Sequence, residues 1–249
     1  MDIKFSIITP SFNNAHFIVD TIESVLSQTY KNFEYIVIDG GSNDDTVNIL
    51  KKYKAIKWIS EKDCGCADAI NKGLKLITGD YISWINSDDY YEPDALFNVY
   101  EAIKKSSAGL IYGNLNYVDY GKKLISNDKT HIYDLNYLLN YDADIIRQPA
   151  TFFKSELLLK TGNLNIDLKC VFDYDFIIRF LKVTQTYYID KTLANYRYHN
   201  NTLTRRNIST QGKEIIKVSL ENGGRFASKL VLKNLLKKII LKKIYFGSD

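Results

Sequence analysis

The chain is poor in the residues that build the commonest special sites. It has three cysteines, Cys64, Cys66 and Cys170. An odd and low count excludes a disulfide framework and fits a reducing compartment. Cys64 and Cys66 form the one close pair, and no further ligands at zinc spacing stand beside them, so they read as loop thiols. No uncharged apolar run approaches the ~18–20 residues that a membrane-spanning helix needs. The start of the sequence has an acidic residue ahead of the short run Phe5–Ile8, without the basic flank of a secretory leader. The dinucleotide pattern G-x-G-x-x-G is missing after every predicted strand, and so is the phosphate loop G-x-x-x-x-G-K-[ST]. Dehydrogenases and P-loop NTPases are thereby excluded. Apolar residues at 45% and charged residues at 25% over 249 positions leave an ordinary globular chain.

What is there divides unevenly. Residues 205–249 hold eleven Lys/Arg and three acids, a charge of +8, while residues 1–204 stand at −4. In the tail, Lys229, Lys233, Lys237, Lys238, Lys242 and Lys243 interleave with Leu232, Leu235, Leu236, Ile239, Ile240 and Ile244. Spacing by three and four predicts an amphipathic helix. Such a helix packs on the body or a twin subunit, or lies on an anionic leaflet. Few aromatics accompany the charge and no reader motif is present, so nucleic acid is not an expected partner. The expected division is a domain over 1–205 and a basic helical tail over 206–249.

The body alternates strand and helix. Phe5–Thr9, ended by Pro10, reads as a buried strand; Ile18, Ile22, Val25 and Leu26 recur at helical spacing. Tyr35–Ile38 is the next strand, followed by a helix over Asp44–Lys52 with Ser42 or Asn43 as cap. Ile56–Ile59, a helix through Ala67, Ile70 and Leu74, the strand Tyr81–Ile85, and a helix after Pro93 continue the pattern. Leu110–Val118 and Lys123–Ser126 suggest a hairpin; Pro149–Phe153 and Ala194–His199 read as strands, and Asp173–Lys182 as a helix. The alternation predicts an α/β fold, a mostly parallel Rossmann-like sheet flanked by helices. Ligands bind such sheets beyond the carboxyl ends of the strands. The segments there are Thr9–Asn14, Asp39–Asp45, Glu61–Asp68 and Asn86–Asp89, polar and rich in acids. Carboxylates tolerate phosphate only through a divalent cation, or they bond base and ribose instead. Asp88 and Asp89 therefore suggest a metal–diphosphate site, and Asp39 a base or ribose contact. Each is also explicable as a turn residue.

Ser6–Asn14, Val37–Thr46, Ser60–Asp63 with Asp68–Gly73, and Gly79–Asp89 resemble, in order, the motifs of family-2 glycosyltransferases of the GT-A fold. Gln148–Phe153, Asp173-Tyr174-Asp175 and Arg197-Tyr198-His199 resemble its later elements. The resemblance covers roughly residues 3–205. It implies an inverting enzyme that moves a sugar from a nucleotide-sugar, a UDP-sugar foremost, to a glycan or lipid-linked acceptor in bacterial surface polysaccharide synthesis. Asp89 and His199 would hold Mn²⁺ or Mg²⁺, with Ser87 where many relatives carry another acid. Asp88, Asp39, Asp68 and Arg197 would contact the donor, and Thr9, Pro10 and Phe12 would wall the base. Asp173 would be the catalytic base, with Asp175 the alternative; both acids also suit a helix's first turn without any function. Asn71 and Lys72 suit solvent as well as substrate. The implied location is cytoplasmic, at the inner face of the plasma membrane. A sugar nucleotidylyltransferase wants a glycine-rich basic loop after the first strand, which Pro10–Asn14 does not supply. A non-catalytic binding module has no use for a base such as Asp173.

Overall fold

A computed structural model describes residues 2–143, 145–199, 202 and 207–236. The strands are β1 (Phe5–Ser11), β2 (Phe33–Asp39), β3 (Lys57–Ser60), β4 (Tyr81–Trp84), β5 (Tyr90–Tyr91), β6 (Leu110–Val118), β7 (Leu124–Asp128), β8 (Thr151–Lys154) and β9 (Thr186–Arg197). The helices are α1 (Ile18–Leu26), α2 (Thr46–Leu50), α3 (Cys66–Leu74), α4 (Ala95–Lys105), α5 (Leu135–Asn140), α6 (Leu158–Thr161), α7 (Phe172–Leu181) and α8 (Ile208–Glu221). All strands join one sheet, β3-β2-β1-β4-β8-β6-β9-β5, with β7 on β6.

The expected parallel order holds across β3-β2-β1-β4. Beyond β4 the sheet is mixed. β8 runs antiparallel to both β4 and β6, which returns β6 to the direction of β4, and β9 runs parallel to β6. The carboxyl ends of β1, β2, β3, β4, β6 and β9 therefore reach the same edge. Two loops far apart in sequence, after β4 and after β9, meet there.

β1 and β2 are buried along almost their whole length because both faces of the sheet are covered. Alternate residues serve opposite cores. Phe5 and Ile7 join Ile18, Ile22 and Val25 of α1 and Leu96 and Val99 of α4. Ile8 joins Ile70 of α3, Trp84, Phe153 and Phe176 of α7. Trp84 stacks on Phe153 at 5.4 Å and meets the Phe176 edge at 5.7 Å, which seats α7 against the sheet. A Cβ at Gly73 would stand 2.7 Å from Ile8, so its absence lets α3 lie against β1. Glu34 is buried at the far end of β2 and accepts hydrogen bonds from Ser6 Oγ, Lys57 Nζ and Thr78 Oγ1 at 2.7, 3.0 and 2.8 Å.

Several expected boundaries moved. β1 continues through Pro10 because β4 leaves β1 at Ile8 and only β2 is paired beyond it. α2 starts at Thr46 rather than Asp44, since Ser42 is used elsewhere and Asp44 Oδ1 accepts from Thr46 N. Gln148–Ala150 is a 3-10 turn ahead of β8. The hairpin β6–β7 forms as expected, and β9 is longer than expected.

Within the expected tail over 206–249, the described helix α8 packs on the body. α8 buries Val218 in the main core, and Ser219 Oγ donates to the Leu139 carbonyl at 2.7 Å. Residues 229–236 are helical, with Leu230 and Val231 buried and Leu232 and Leu236 exposed. The remainder of the basic run, from 237 onward, lies outside the described residues. Among the described residues no helix is long and apolar enough to cross a membrane.

Candidate active site

The loops at the carboxyl edge are knitted by side-chain to backbone bonds. Asn13, in the left-handed region at φ 50°, takes the Asn43 N–H on its Oδ1 while its own N–H donates to Ser42 Oγ at 2.7 Å. Asn14 Nδ2 donates to Ser87 Oγ at 2.6 Å, tying the loop after β1 to that after β4. Asp39 is fully buried behind this edge. Its oxygens accept from Gly41 N, Ser42 N, Ser42 Oγ and Ser60 Oγ. Four donors fill a carboxylate's capacity. In this structure these bonds shape the loop behind the expected base pocket.

Above the edge lies a cavity of about 510 Å³. Pro10 and Phe12 line it, as expected, with Phe12 60% exposed. Asp88 and Asp173 line it too, from the loop after β4 and the first turn of α7. Asp63 also faces it, a residue to which sequence reasoning gave no role although it closes the quoted motif Ser60–Asp63. Burial pushes the Asp63 carboxyl up, and the charges of Asp68 and Asp39 add to that. Cys66 lies among the acids: burial raises its thiol well above the ordinary range, and Asp88, Asp173 and Asp63 raise it further. Its thiolate is suppressed, which makes a nucleophilic role implausible.

The adjacent acids after β4 have different tasks. Asp88 Oδ2 lies 2.9 Å from His199 Nε2. Asp89 is 1% exposed; its Oδ1 accepts from Arg197 N at 2.8 Å and its Oδ2 from Asn86 Nδ2 at 3.3 Å. Burial, then the Asp88 charge, pushes the Asp89 carboxyl well above its ordinary value. The structure sets Asp88, rather than Asp89, against His199, and Asp89 fastens β9 to the loop. Arg197 is likewise engaged within the fold. Its guanidinium is buried and donates to the Asp88 carbonyl, the Tyr120 carbonyl and Asp20 Oδ2 at 2.9, 2.8 and 2.7 Å. It also lies 4.7 Å over the Phe17 ring.

Asp68 accepts from Cys64 N at 3.1 Å and pairs with Lys72 at 3.8 Å, the helix-terminal alternative rather than a cavity contact. Thr9 Oγ1 bonds the Tyr35 hydroxyl at 2.9 Å inside the sheet and does not reach the cavity. Asn71 exchanges two bonds with the backbone of Leu164, both 2.9 Å. Asp175 pairs with Arg179 at 2.9 Å, so of the two acids in α7 only Asp173 faces the cavity.

α8 closes one side. Gln211 and Ile215 line the cavity, and Glu214 accepts from Lys169 N and Cys170 N, both at 2.9 Å, fixing the loop that leads to Asp173. No helical periodicity alone points to this docking.

Among the described residues, no group of three or more His, Cys, Asp or Glu gathers as a metal cage. Asp88 lines the cavity, and His199 stands directly behind it at 2.9 Å, so the two could supply a pair of donors. That suits a divalent cation such as Mg²⁺, held by one or two protein groups with substrate phosphates completing its shell.

Comparison with known proteins agrees with this picture. The family model described as Glycosyl transferase family 2 matches residues 6–176. An uncharacterized glycosyltransferase of Rickettsia typhi is 30% identical over 213 residues, covering 80% of this chain and 65% of that protein. Chondroitin synthase of Escherichia coli is 29% identical over 230 residues, covering 90% of this chain and 33% of that one. The chain thus spans less than two thirds of these relatives. Among solved structures, S. aureus TarS 1–349 in complex with UDP-GlcNAc superposes with a TM-score of 0.71 at 18% identity, over 98% of this chain and 73% of that one. The mannosyltransferase PcManGT from Pyrobaculum calidifontis, in complex with GDP-Man and Mn²⁺, gives 0.67 at 14% identity, over 96% and 75%. The structural likenesses establish the GT-A fold. With the family match covering most of the chain and the strand-end loops in the order its motifs require, the chain belongs to glycosyl transferase family 2.

Proposed function

We propose that the chain is an inverting glycosyltransferase that takes a sugar from a UDP-sugar and places it on a glycan or lipid-linked acceptor of a bacterial surface polysaccharide. The observation that carries this reading is that Asp88 and Asp173 line one cavity. One acid is paired with a histidine suited to a cation; the other stands where a base is needed. Pro10 and Phe12 wall the nucleotide base. Asp88 and His199 would hold Mn²⁺ or Mg²⁺, which when bound neutralises charge on the departing diphosphate.

Asp173 accepts the proton of the acceptor hydroxyl as that oxygen bonds the anomeric carbon and the bond to the nucleotide breaks. A single displacement inverts the anomeric centre and needs no nucleophile on the protein. The suppressed Cys66 thiolate is compatible with that. The exposed Leu232 and Leu236, with Lys229 and Lys233 and the basic run beyond, support placement at an anionic membrane surface.

Calorimetric titration with UDP in the presence of Mn²⁺, and again in EDTA, tests the donor reading. Binding that requires the metal and is lost in Asp88→Asn is the expected result. No UDP binding with either Mn²⁺ or Mg²⁺ overturns it.

A further inference from the structure

The later strands add aromatic side chains to the lining of the cavity. β6 and β9 are parallel, with Tyr117 directly opposite Tyr196 in register. Side chains two apart on a strand share a face. Leu115 and Tyr117 on β6, with Tyr196 and then Tyr198 at the end of β9, accordingly line the cavity together. The Tyr117 and Tyr196 rings meet edge to face at 5.5 Å. Arg147 stands 5.9 Å over the Tyr117 ring, and its Nε and a terminal nitrogen both donate to Asp128 Oδ2 at 2.7 Å. Among the described lining residues Arg147 is the one cation, against the carboxylates of Asp63, Asp88 and Asp173.

This composition selects between acceptor chemistries. A phosphate-bearing head group brought to these rings finds the one lining cation already engaged by Asp128. A pyranose ring is uncharged, with apolar C–H faces that suit aromatic rings and hydroxyls that suit phenols and amides. We infer that the corner formed by Tyr117 and Tyr196 is the acceptor subsite and that it takes an uncharged saccharide ring, the terminal sugar of a glycan. The inference rests on the donor reading above and narrows its acceptor. Tyr117 and Tyr196 hold the sugar so that its hydroxyl faces Asp173, and the phosphate-linked lipid is disfavoured at that position.

The test uses the full chain, labelled and applied with UDP and Mn²⁺ to a printed array of neutral and anionic oligosaccharides. Tyr196→Leu keeps apolar bulk without a ring, and Tyr196→Phe keeps the ring. Expected is capture of neutral glycans, weakened about ten-fold in Tyr196→Leu and held within about two-fold in Tyr196→Phe. Calorimetric UDP affinity should stay unchanged in both, which also shows that they fold. Capture of anionic glycans alone, no capture by the wild type, or capture indifferent to Tyr196→Leu would overturn the inference while leaving the donor reading intact. Failure of the wild type to bind UDP would bring down the donor reading and this inference with it.

Discussion

Asp88 and His199, 111 residues apart in the chain, meet at 2.9 Å because β9 runs parallel to β6 and delivers its end beside the end of β4. The neighbouring Asp89 is fastened to Arg197 N instead. These roles separate by experiment. His199→Ala should weaken Mn²⁺-supported UDP binding by roughly ten-fold with little change in Tm. Asp89→Ala should instead cost roughly 2–3 kcal/mol of stability, because it leaves the Arg197 N–H buried and unpaired. Denaturant unfolding beside calorimetry checks both. A stable Asp89→Ala with abolished metal response would reverse the assignment.

The acids of α7 make a second contrast. Asp173→Asn should lower transfer by roughly 10²–10⁴-fold while UDP affinity holds. Asp175→Asn should leave turnover within a few-fold but lower Tm, since Arg179, which also donates to the Thr161 carbonyl, loses its carboxylate. Rates and melting curves on the same preparations decide it, and full turnover in Asp173→Asn would remove Asp173 from the chemistry.

Glu214 is a positioning residue, since it bonds the loop ahead of Asp173 and not the substrate. Glu214→Gln presents one amide donor to backbone N–H groups, so kcat should fall by roughly 3–10-fold with UDP affinity unchanged. A purely structural role would lower Tm and leave the ratio of kcat to UDP affinity alone.

Away from the site, Glu34 sets a pH dependence of stability. Burial acts to raise its carboxyl, but bonds from Ser6, Lys57 and Thr78 outweigh this and hold it at about 2, against an ordinary 4.5. A folded-state value below the unfolded one adds stability above pH ~4.5 that is lost as pH falls toward 2. The full difference is at most about 3 kcal/mol. Glu34→Gln should flatten the urea midpoint over that window, as chemical denaturation at stepped pH would show.

The parallel half of the fold was legible because buried strands between two helical layers are continuous apolar runs, and Phe5–Ile8 and Tyr35–Ile38 are such runs. Strand-end acids were legible for the same reason, since a sheet edge has few other places for them. What stayed hidden was the direction of each side chain. Asp88 and Asp89 are equivalent as letters, and only the arrival of β9 decides which one faces the cavity. The burial of Arg197 under Phe17 and Tyr90 was hidden because it depends on rings from distant segments. The docking of α8 was obscured because the helix, itself balanced in charge, belongs to a stretch that is strongly basic as a whole.

The part of the chain that matches the family ends at residue 176, yet Tyr196, Gln211 and Ile215 help enclose the chamber. Its enclosure is thus divided between the part that matches the family and panels made later in translation. While the ribosome is still extending the chain, that part emerges first and the chamber stays open on one side. Because His199 also lies beyond residue 176, exchanging that later segment between relatives would alter the partner of Asp88 together with the aromatic wall.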